Sequence, residues 1–199
     1  MNVYEAALKR RSIRLFRETP VPYELLEKCV DTARLAPSVV NLQALEFLVI
    51  DDAEKLQRIS KNVAMVRGYS SGIVRAGFEQ QPKAYIITLV NKRWASQFGG
   101  SRMSFPYDIG MANENMMLFA TSEGLATCPI LSYNTAKLYE ILELPEHYQI
   151  GMVLAIGYPA ESSVAEEMTN AIAFDMDAQG TRHVPKRTLK DVLHYDRIN

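Results

Sequence analysis

Apolar positions along the chain follow two spacings, one typical of helices and one typical of buried strands. Residues 3 to about 11 predict a short helix, because Asn2 and Glu5 occupy the two positions of a capping box. A second helix is predicted over residues 23 to about 35, where apolar residues recur at every third or fourth position. Pro37 ends that helix, since the residue before a proline is pushed out of the helical region. The chain therefore opens with two helices.

Short runs of apolar residues predict strands further along the chain. A run that is apolar at nearly every position is typical of a strand buried on both faces. The predicted strands are Glu46–Ile50, Ala84–Val90, Thr127–Leu131 and Gly151–Ile156. The remaining predicted helices cover residues 51 to about 66, 107 to 124 and 136–142, with loops or broken helices at 67–82 and 92–106.

Helices and strands are mixed in this order without strict alternation, which predicts an α+β fold with a mixed sheet. No repeat, low-complexity tract or linker divides the chain, so we expect a single domain over residues 1–199. Residues 160–199 are polar and weakly periodic. We expect this C-terminal extension to pack on a partner subunit.

Composition and charge exclude several classes of protein. Apolar residues make up 48% of the chain, and its 22 basic and 23 acidic residues give a net charge of −1. That balance argues against nucleic-acid binding. No apolar run approaches the roughly 20 residues of a membrane helix, and we expect no secretory signal, because residues 1–12 are mixed and charged. Two isolated cysteines, Cys29 and Cys128, favour buried thiols in a reducing compartment and hence a cytoplasmic location.

Two segments at opposite ends of the chain are strongly basic. Residues 9–17 and residues 182–190 each hold several lysines and arginines and no acid. One interpretation is an ordinary solvated surface. The other is a phosphate site, because a guanidinium offers two parallel N–H donors and Ser12 adds a hydroxyl. Arg10 and Arg14 would share a face if the first helix continued. The sequence leaves both interpretations open.

The loop over residues 37–43 is a second candidate binding segment. Ser38, Asn41 and Gln43 carry hydrogen-bond donors and acceptors suited to the edge of a heteroaromatic ligand. The alternative is a turn that ends the second helix, in which Asn41 caps locally.

Five segments spread over nearly the whole chain match, in order, the motifs of one known family. They are Arg10-Arg11-Ser12-Ile13-Arg14-x-Phe16, Ala36-Pro37-Ser38-x-x-Asn41-x-Gln43, Asp108-x-Gly110-x-Ala112-x-x-Asn115 continuing to Gly124-Leu125, Gly157-Tyr158-Pro159, and Lys186-Arg187-x-Leu189-x-Asp191-Val192. The chain thereby resembles the nitroreductase family, the FMN-dependent NAD(P)H oxidoreductases.

The resemblance implies a nitroreductase-like fold with a central mixed, mainly antiparallel sheet flanked by helices. It also implies an intertwined homodimer with FMN at the interface, in which each site is built from both subunits. The implied FMN-binding residues of one subunit are Arg10, Arg11, Ser12, Arg14, Lys186 and Arg187, with Arg182 as a further basic candidate. The second subunit would contribute Pro37, Ser38, Val39 and Asn41, while Pro129, Ile130 and Leu131 would pass the other side of the ring.

The implied reaction transfers hydride from NAD(P)H through flavin N5 to a small, planar, electron-poor acceptor such as a nitroaromatic compound or a quinone. Both substrates would use one pocket in turn, which predicts ping-pong kinetics. Arg14 is the expected catalytic residue, since a guanidinium at the N1 edge stabilises the charge of the reduced flavin. No Gly-x-Gly-x-x-Gly follows a predicted strand, which argues against a separate dinucleotide site.

Side chains of the variable loops are candidates for the pocket wall. Aromatic rings would stack on a flat acceptor, although each also fits ordinary core packing. These aromatic residues are Tyr69, Trp94, Phe98, Phe105 and Tyr107, and the arginines that would meet the phosphates of the nucleotide are Arg67 and Arg75.

Two other functions fit the same segments. One is different flavin chemistry on this scaffold, such as enone reduction, dehalogenation or flavin fragmentation. The other is a flavin-binding protein without turnover. A metal site is not expected, because His147, His183 and His194 match no ligand spacing.

Overall fold

The structure of the chain, a computed structural model, shows the predicted α+β architecture. It describes residues 1–68, 72–73, 80–99, 105–169 and 171–198, with the backbone alone at 66–68 and 72–73. Among these residues no helix has both the length and the apolar character needed to cross a membrane.

The helices and strands have the following bounds. The helices are α1 (Val3–Lys9), α2 (Tyr23–Arg34), α3 (Ala53–Ser60), α4 (Lys92–Gln97), α5 (Phe105–Ser122) and α6 (Thr135–Leu142). The strands are β1 (Leu45–Ile50), β2 (Val66–Gly68), β3 (Gly72–Ile73), β4 (Ala84–Asn91), β5 (Ala126–Ile130), β6 (Tyr148–Gly157), β7 (Ser162–Glu167), β8 (Asp175–Met176) and β9 (Thr181–Lys186).

The central sheet has four antiparallel strands in the order β1-β4-β6-β5. Alternate residues of its two middle strands face opposite sides, as the two-residue period of a strand requires. On one side Ile86 packs in a cluster with Met116 of α5, and on the other Ile87 packs with Leu138 of α6. Both faces are therefore covered by helices, which is why these strands are nearly continuous apolar runs.

The N-terminal segment runs beside the edge strand β5. The capping box of Asn2 and Glu5 starts α1 as predicted, but the helix ends at Lys9. Ser12 then pairs with Thr127 in a parallel bridge, and the Ile13 N–H donates to the Thr127 carbonyl at 3.0 Å. This bridge brings the basic residues 10–14 to the rim of the sheet.

The C-terminal region forms a second, three-stranded sheet in the order β7-β9-β8. β7 and β9 are parallel, and β8 is antiparallel to β9. Their weak periodicity gave no strand prediction because β7 exposes most of its residues and β8 has only two. The contact of residues 160–199 with a partner subunit stays a prediction.

Two other predicted boundaries differ from the structure. The helix that follows Asp52 ends at Ser60, not near Val66. The short helix α4 lies inside the segment 92–106 that was predicted to be irregular, where Asn91 caps it through the Trp94 N–H. The first difference concerns a helix end, and the second a short helix that begins at its own cap without an extended apolar pattern.

Candidate functional site

The basic residues at the start of the chain sit on an extended segment rather than on a helix. Burial therefore alternates with a period of two: Ile13 and Leu15 are buried, whereas Ser12 and Arg14 point to the other side. The condition under which Arg10 and Arg14 would share a helix face is not met, because α1 has already ended at Lys9. Ser12 and Arg14 share a strand face instead.

Both basic ends of the chain meet in one cleft of about 290 Å³. The bridge to β5 brings in the first segment, and β9 brings in the second. The cleft is lined by Arg10, Arg11, Ser12, Arg14, Ile172, Phe174, Val184, Pro185 and Lys186. A concave site with this density of cationic and hydroxyl groups can hold a phosphorylated ligand. We call it the basic cleft.

Arg11 carries an unsatisfied donor in this cleft. Among the described residues its Nε is buried and has no hydrogen-bond partner, while its Nη1 donates to the Arg10 carbonyl. Burial, together with the neighbouring charge of Arg10, lowers the pKa of Arg11. A bound anion would supply the missing acceptor and offset the repulsion between the two guanidinium groups. The residues present therefore fit a phosphate.

Arg14 is held from three directions. Its Nη1 donates to the Ser12 carbonyl at 2.8 Å, and its Cζ lies 5.3 Å from the centroid of the Phe174 ring. Its backbone N–H donates to the carboxylate of Glu161. Because a cation over an aromatic face is attracted by the ring quadrupole, the guanidinium has a defined direction beside the cleft.

The three C-terminal basic candidates have different environments. Lys186 lines the basic cleft, whereas Arg187 is exposed and donates to the Asp191 carbonyl. Arg182 is 0% exposed and forms an ion pair with Glu161 at 2.9 Å. The geometry thus favours Lys186 as the phosphate ligand. Arg10 lines the cleft but also contacts Glu114 of α5 at 3.3 Å.

The loop over residues 37–43 lies in a separate place. Pro37 and Ser38 line a small cleft of about 130 Å³ with Asp108, and the Val39 N–H donates to Asp108 Oδ1 at 3.1 Å. Asn41 is exposed and closes a short turn through its N–H to the Ser38 carbonyl. Within one chain this loop does not join the basic cleft.

The same loop has an unusual backbone. Val40, Asn41 and Gln43 have φ angles of 49°, 55° and 51°, in the left-handed region. A β-branched residue rarely adopts that conformation, so Val40 is an outlier. The Ser38 hydroxyl accepts the Gln43 N–H at 3.0 Å, which holds the loop in this shape. Strain of this kind clusters at functional sites.

The remaining predicted residues occupy different environments. Pro129 and Ile130 lie on β5 beside the basic segment, Ile130 being buried, and Leu131 is 71% exposed. Trp94 and Phe98 pack with ring centroids 5.1 Å apart, and Trp94 Nε1 donates to the Leu42 carbonyl at 2.6 Å.

Phe105 is 4% exposed and packs in the core, in keeping with the alternative of ordinary core packing. Tyr107 is 71% exposed. Tyr69 and Arg75 lie outside the described residues, and for Arg67 only the backbone is described.

Sequence reasoning missed several residues of the basic cleft. Ile172 and Phe174 come from the polar tail, and no pattern in the sequence distinguishes them from solvent-exposed residues. One signal in the sequence could have pointed to Glu161, because it follows closely after the motif Gly157-Tyr158-Pro159. Cys29 and Cys128 are buried free thiols, as predicted.

The fold and the cleft define an α+β protein with a basic site built from both ends of one chain. The profile of the Nitroreductase family matches residues 7–67 and 74–158, so the chain belongs to that family.

Known proteins are similar to this chain over most of its length. It is 30% identical to an NADH dehydrogenase of Thermus thermophilus, over 78% of this chain and 86% of that protein. It is 28% identical to the FMN reductase [NAD(P)H] of Bacillus subtilis, over 81% and 67% of the two chains. An iodotyrosine deiodinase of Haliscomenobacter hydrossis is 24% identical, over 83% and 82%.

A solved structure, the FMN-dependent nitroreductase of Clostridium difficile, shares the fold. It has a TM-score of 0.66 and 24% identity, and the match covers 97% of this chain and 98% of that one.

Proposed function

We propose that this chain is an NAD(P)H-dependent FMN oxidoreductase that reduces a small, planar, electron-poor acceptor. The observation that carries the proposal is the meeting of Arg10, Arg11, Ser12, Arg14 and Lys186 in one cleft. Membership of the Nitroreductase family and the relatives named FMN reductase and NADH dehydrogenase support the same chemistry.

The basic cleft holds the phosphate of FMN. Ser12 and Lys186 supply a hydroxyl and an ammonium group. The Nε of Arg11, which has no hydrogen-bond partner among the described residues, can donate to a phosphate oxygen. FMN, when bound, accepts a hydride from NAD(P)H and passes reducing equivalents to the acceptor. The protein contributes binding, orientation and charge.

Arg14 would stabilise the negative charge of reduced FMN bound in the cleft. Its guanidinium is fixed by the Ser12 carbonyl and the Phe174 ring. A cation held in advance at the place where charge develops costs no reorganisation during the reaction. This is the catalytic role that we assign to Arg14.

Two copies of the chain form the complete site. The loop over residues 37–43 lies apart from the basic cleft, so it would approach the flavin of the other subunit. Three large apolar residues of α1 support such a dimer, because Val3, Tyr4 and Leu8 are 74%, 73% and 57% exposed. A groove of about 420 Å³ between α1, α2 and α5 continues this apolar face.

The nicotinamide and the acceptor use one position in turn, which gives ping-pong kinetics. The exposed side chain of Ile172 offers an apolar surface at the cleft on which a flat molecule can stack. Dehalogenation is the second candidate reaction, favoured by the similarity to an iodotyrosine deiodinase. A flavin-binding protein without turnover is the non-enzymatic alternative.

The decisive experiment begins with the colour of the purified protein. We expect FMN to bind and to give a yellow protein that anaerobic NADH or NADPH bleaches. Mixing the reduced protein with nitroaromatics, quinones or iodotyrosine then shows which of these acceptors reoxidises the flavin. Yellow protein that neither nucleotide bleaches would indicate a binding protein. Colourless protein that ignores added FMN would overturn the proposal.

A matched pair of variants tests Arg14. Arg14→Met should slow flavin reduction on the order of a hundredfold, as expected for loss of a preorganised charge. Arg17→Met is the control, since Arg17 is exposed and its Nε donates to the Pro159 carbonyl at 2.9 Å. Equal rates in the two variants would remove Arg14 from the mechanism.

A further inference from the structure

The side chain of Glu161 is buried beneath the basic cleft. It is 2% exposed, and its Oε2 accepts from Nη2 of Arg182 at 2.9 Å, with Arg182 itself 0% exposed. Burying two charges carries a desolvation cost that their attraction does not reliably return. An apolar pair would fill the same space without that cost, so the ion pair calls for a reason other than stability.

The second oxygen of Glu161 supplies that reason. Oε1 accepts the backbone N–H of Arg14 and, at 3.3 Å, the N–H of Leu15. Just before these residues, Ile13 still donates to the carbonyl of β5, and Phe16 donates to the Gln80 carbonyl just after them. Between these two backbone–backbone hydrogen bonds, Glu161 accepts the N–H groups of Arg14 and Leu15.

Three charged side chains lie within electrostatic range of the buried Cys128 thiol. Burial raises the pKa of the Cys128 thiol to about 11, and the charges of Arg14, Glu161 and Arg182 all act on the same thiol. Arg182 lies on β9, the strand that also carries Lys186. The ion pair thus joins the strand that offers Lys186 to the segment that offers Arg14.

We infer that Glu161 is a positioning residue for flavin chemistry. Its two backbone bonds hold Arg14 where the guanidinium stabilises reduced flavin, and Arg182 compensates the buried charge that this arrangement needs. The inference rests on the proposed function. It predicts that Glu161 acts by accepting the two backbone hydrogen bonds. The opposite charges of Glu161 and Arg182 contribute nothing to FMN affinity or to the midpoint potential of bound FMN.

Two double variants separate these contributions. Glu161→Gln/Arg182→Met keeps an acceptor oxygen, whereas Glu161→Met/Arg182→Met removes it; both eliminate the ion pair and leave the net charge balanced. Methionine suits position 182, because among the described residues Nε and Nη1 of Arg182 have no hydrogen-bond partner. The measurements are FMN affinity by fluorescence titration and the midpoint potential of bound FMN.

The variant with glutamine should bind FMN within about threefold of the unaltered protein and keep its potential. The variant with methionine should bind FMN roughly tenfold more weakly, since it leaves two backbone donors without an acceptor. Its affinity for reduced FMN should fall further than that for oxidised FMN, which lowers the potential. A merely structural defect would weaken both forms equally and leave the potential unchanged.

A third variant links the effect to Arg14. In an Arg14→Met background, Glu161→Met/Arg182→Met should lower the potential no further, because the residue that Glu161 positions is already absent. An additive effect would overturn the inference. So would equal potentials in the two double variants.

Folding of the variants is checked by thermal melting without FMN. If the methionine variant does not fold, the glutamine variant still decides: a potential as low as that of Arg14→Met would overturn the inference, and a retained potential supports it. Protection of the Arg14 and Leu15 amides from hydrogen exchange in the unaltered protein checks the bonds directly. If the unaltered protein binds no FMN, the proposed function fails instead.

Discussion

Arg14 and Phe174 lie in contact, with the guanidinium carbon 5.3 Å from the ring centroid, although they come from opposite ends of the chain. Both line the basic cleft. The C-terminal region therefore shapes the site in addition to supplying its basic residues, since its aromatic ring helps to direct the guanidinium on which the proposed chemistry depends.

Replacing Phe174 by leucine should weaken FMN binding about fivefold, because a cation–π contact of this kind is worth about 1 kcal/mol. Fluorescence titration with FMN measures the change. Phe174→Tyr is the matched control, since it keeps the ring face and should bind FMN like the unaltered protein. Equal affinities for the leucine and tyrosine variants would contradict the predicted role.

Replacing Val40 by glycine should stabilise the folded protein. Its φ angle of 49° costs an L-residue about 1–2 kcal/mol, and its side chain is 84% exposed, so little packing is lost on its removal. After the extra entropy of unfolded glycine is subtracted, Val40→Gly should raise the free energy of unfolding by roughly 0.5 kcal/mol. Urea unfolding measures this value. Val40→Ile keeps the strain and should give no gain; a loss on Val40→Gly would contradict the prediction.

His183 should make stability depend on pH. Its ring nitrogens contact Asp177 at 3.1 Å and Glu166 at 2.9 Å, and hydrogen bonds to these carboxylates raise the pKa of His183 above the ordinary 6.5. The contribution is fully present below pH 6.5 and is lost as the pH rises through the elevated value in the folded protein.

Melting temperatures measured across this range for the unaltered protein and for His183→Gln test the effect. The difference between the two proteins should be largest below pH 6.5 and should shrink at alkaline pH. A difference that grows with pH would have the wrong sign.

Gly151 should not tolerate a side chain while Ile109 is present. A Cβ at position 151 would lie 2.6 Å from Ile109 Cδ1 and 3.3 Å from the Thr88 carbonyl oxygen. Gly151→Ala should therefore lower the free energy of unfolding by about 1–3 kcal/mol, the usual cost of overpacking.

Adding Ile109→Val removes the nearest methyl group, so the double variant should be more stable than the sum of the two single effects predicts. Thermal or urea unfolding of the four proteins provides the comparison. Strict additivity would show that the two side chains do not compete for the same space.

The sequence by itself determined the helices and strands of the sheet region and the identity of the basic segments. Ala84–Val90 and Gly151–Ile156 were predicted as buried strands and are, because hydrophobic periodicity acts locally and needs no knowledge of neighbours. The ordered motifs likewise identified the family that the profile match then established.

Only the tertiary structure decided which distant residues meet. Arg182 had the same appearance in the sequence as Lys186, yet one is fully buried against Glu161 and the other lines the basic cleft. No pattern in the sequence indicated that Phe174 lines the cleft. Burial of an arginine depends on an acceptor supplied from elsewhere in the chain. The contact between Arg14 and Phe174 depends on how two segments distant in sequence pack together.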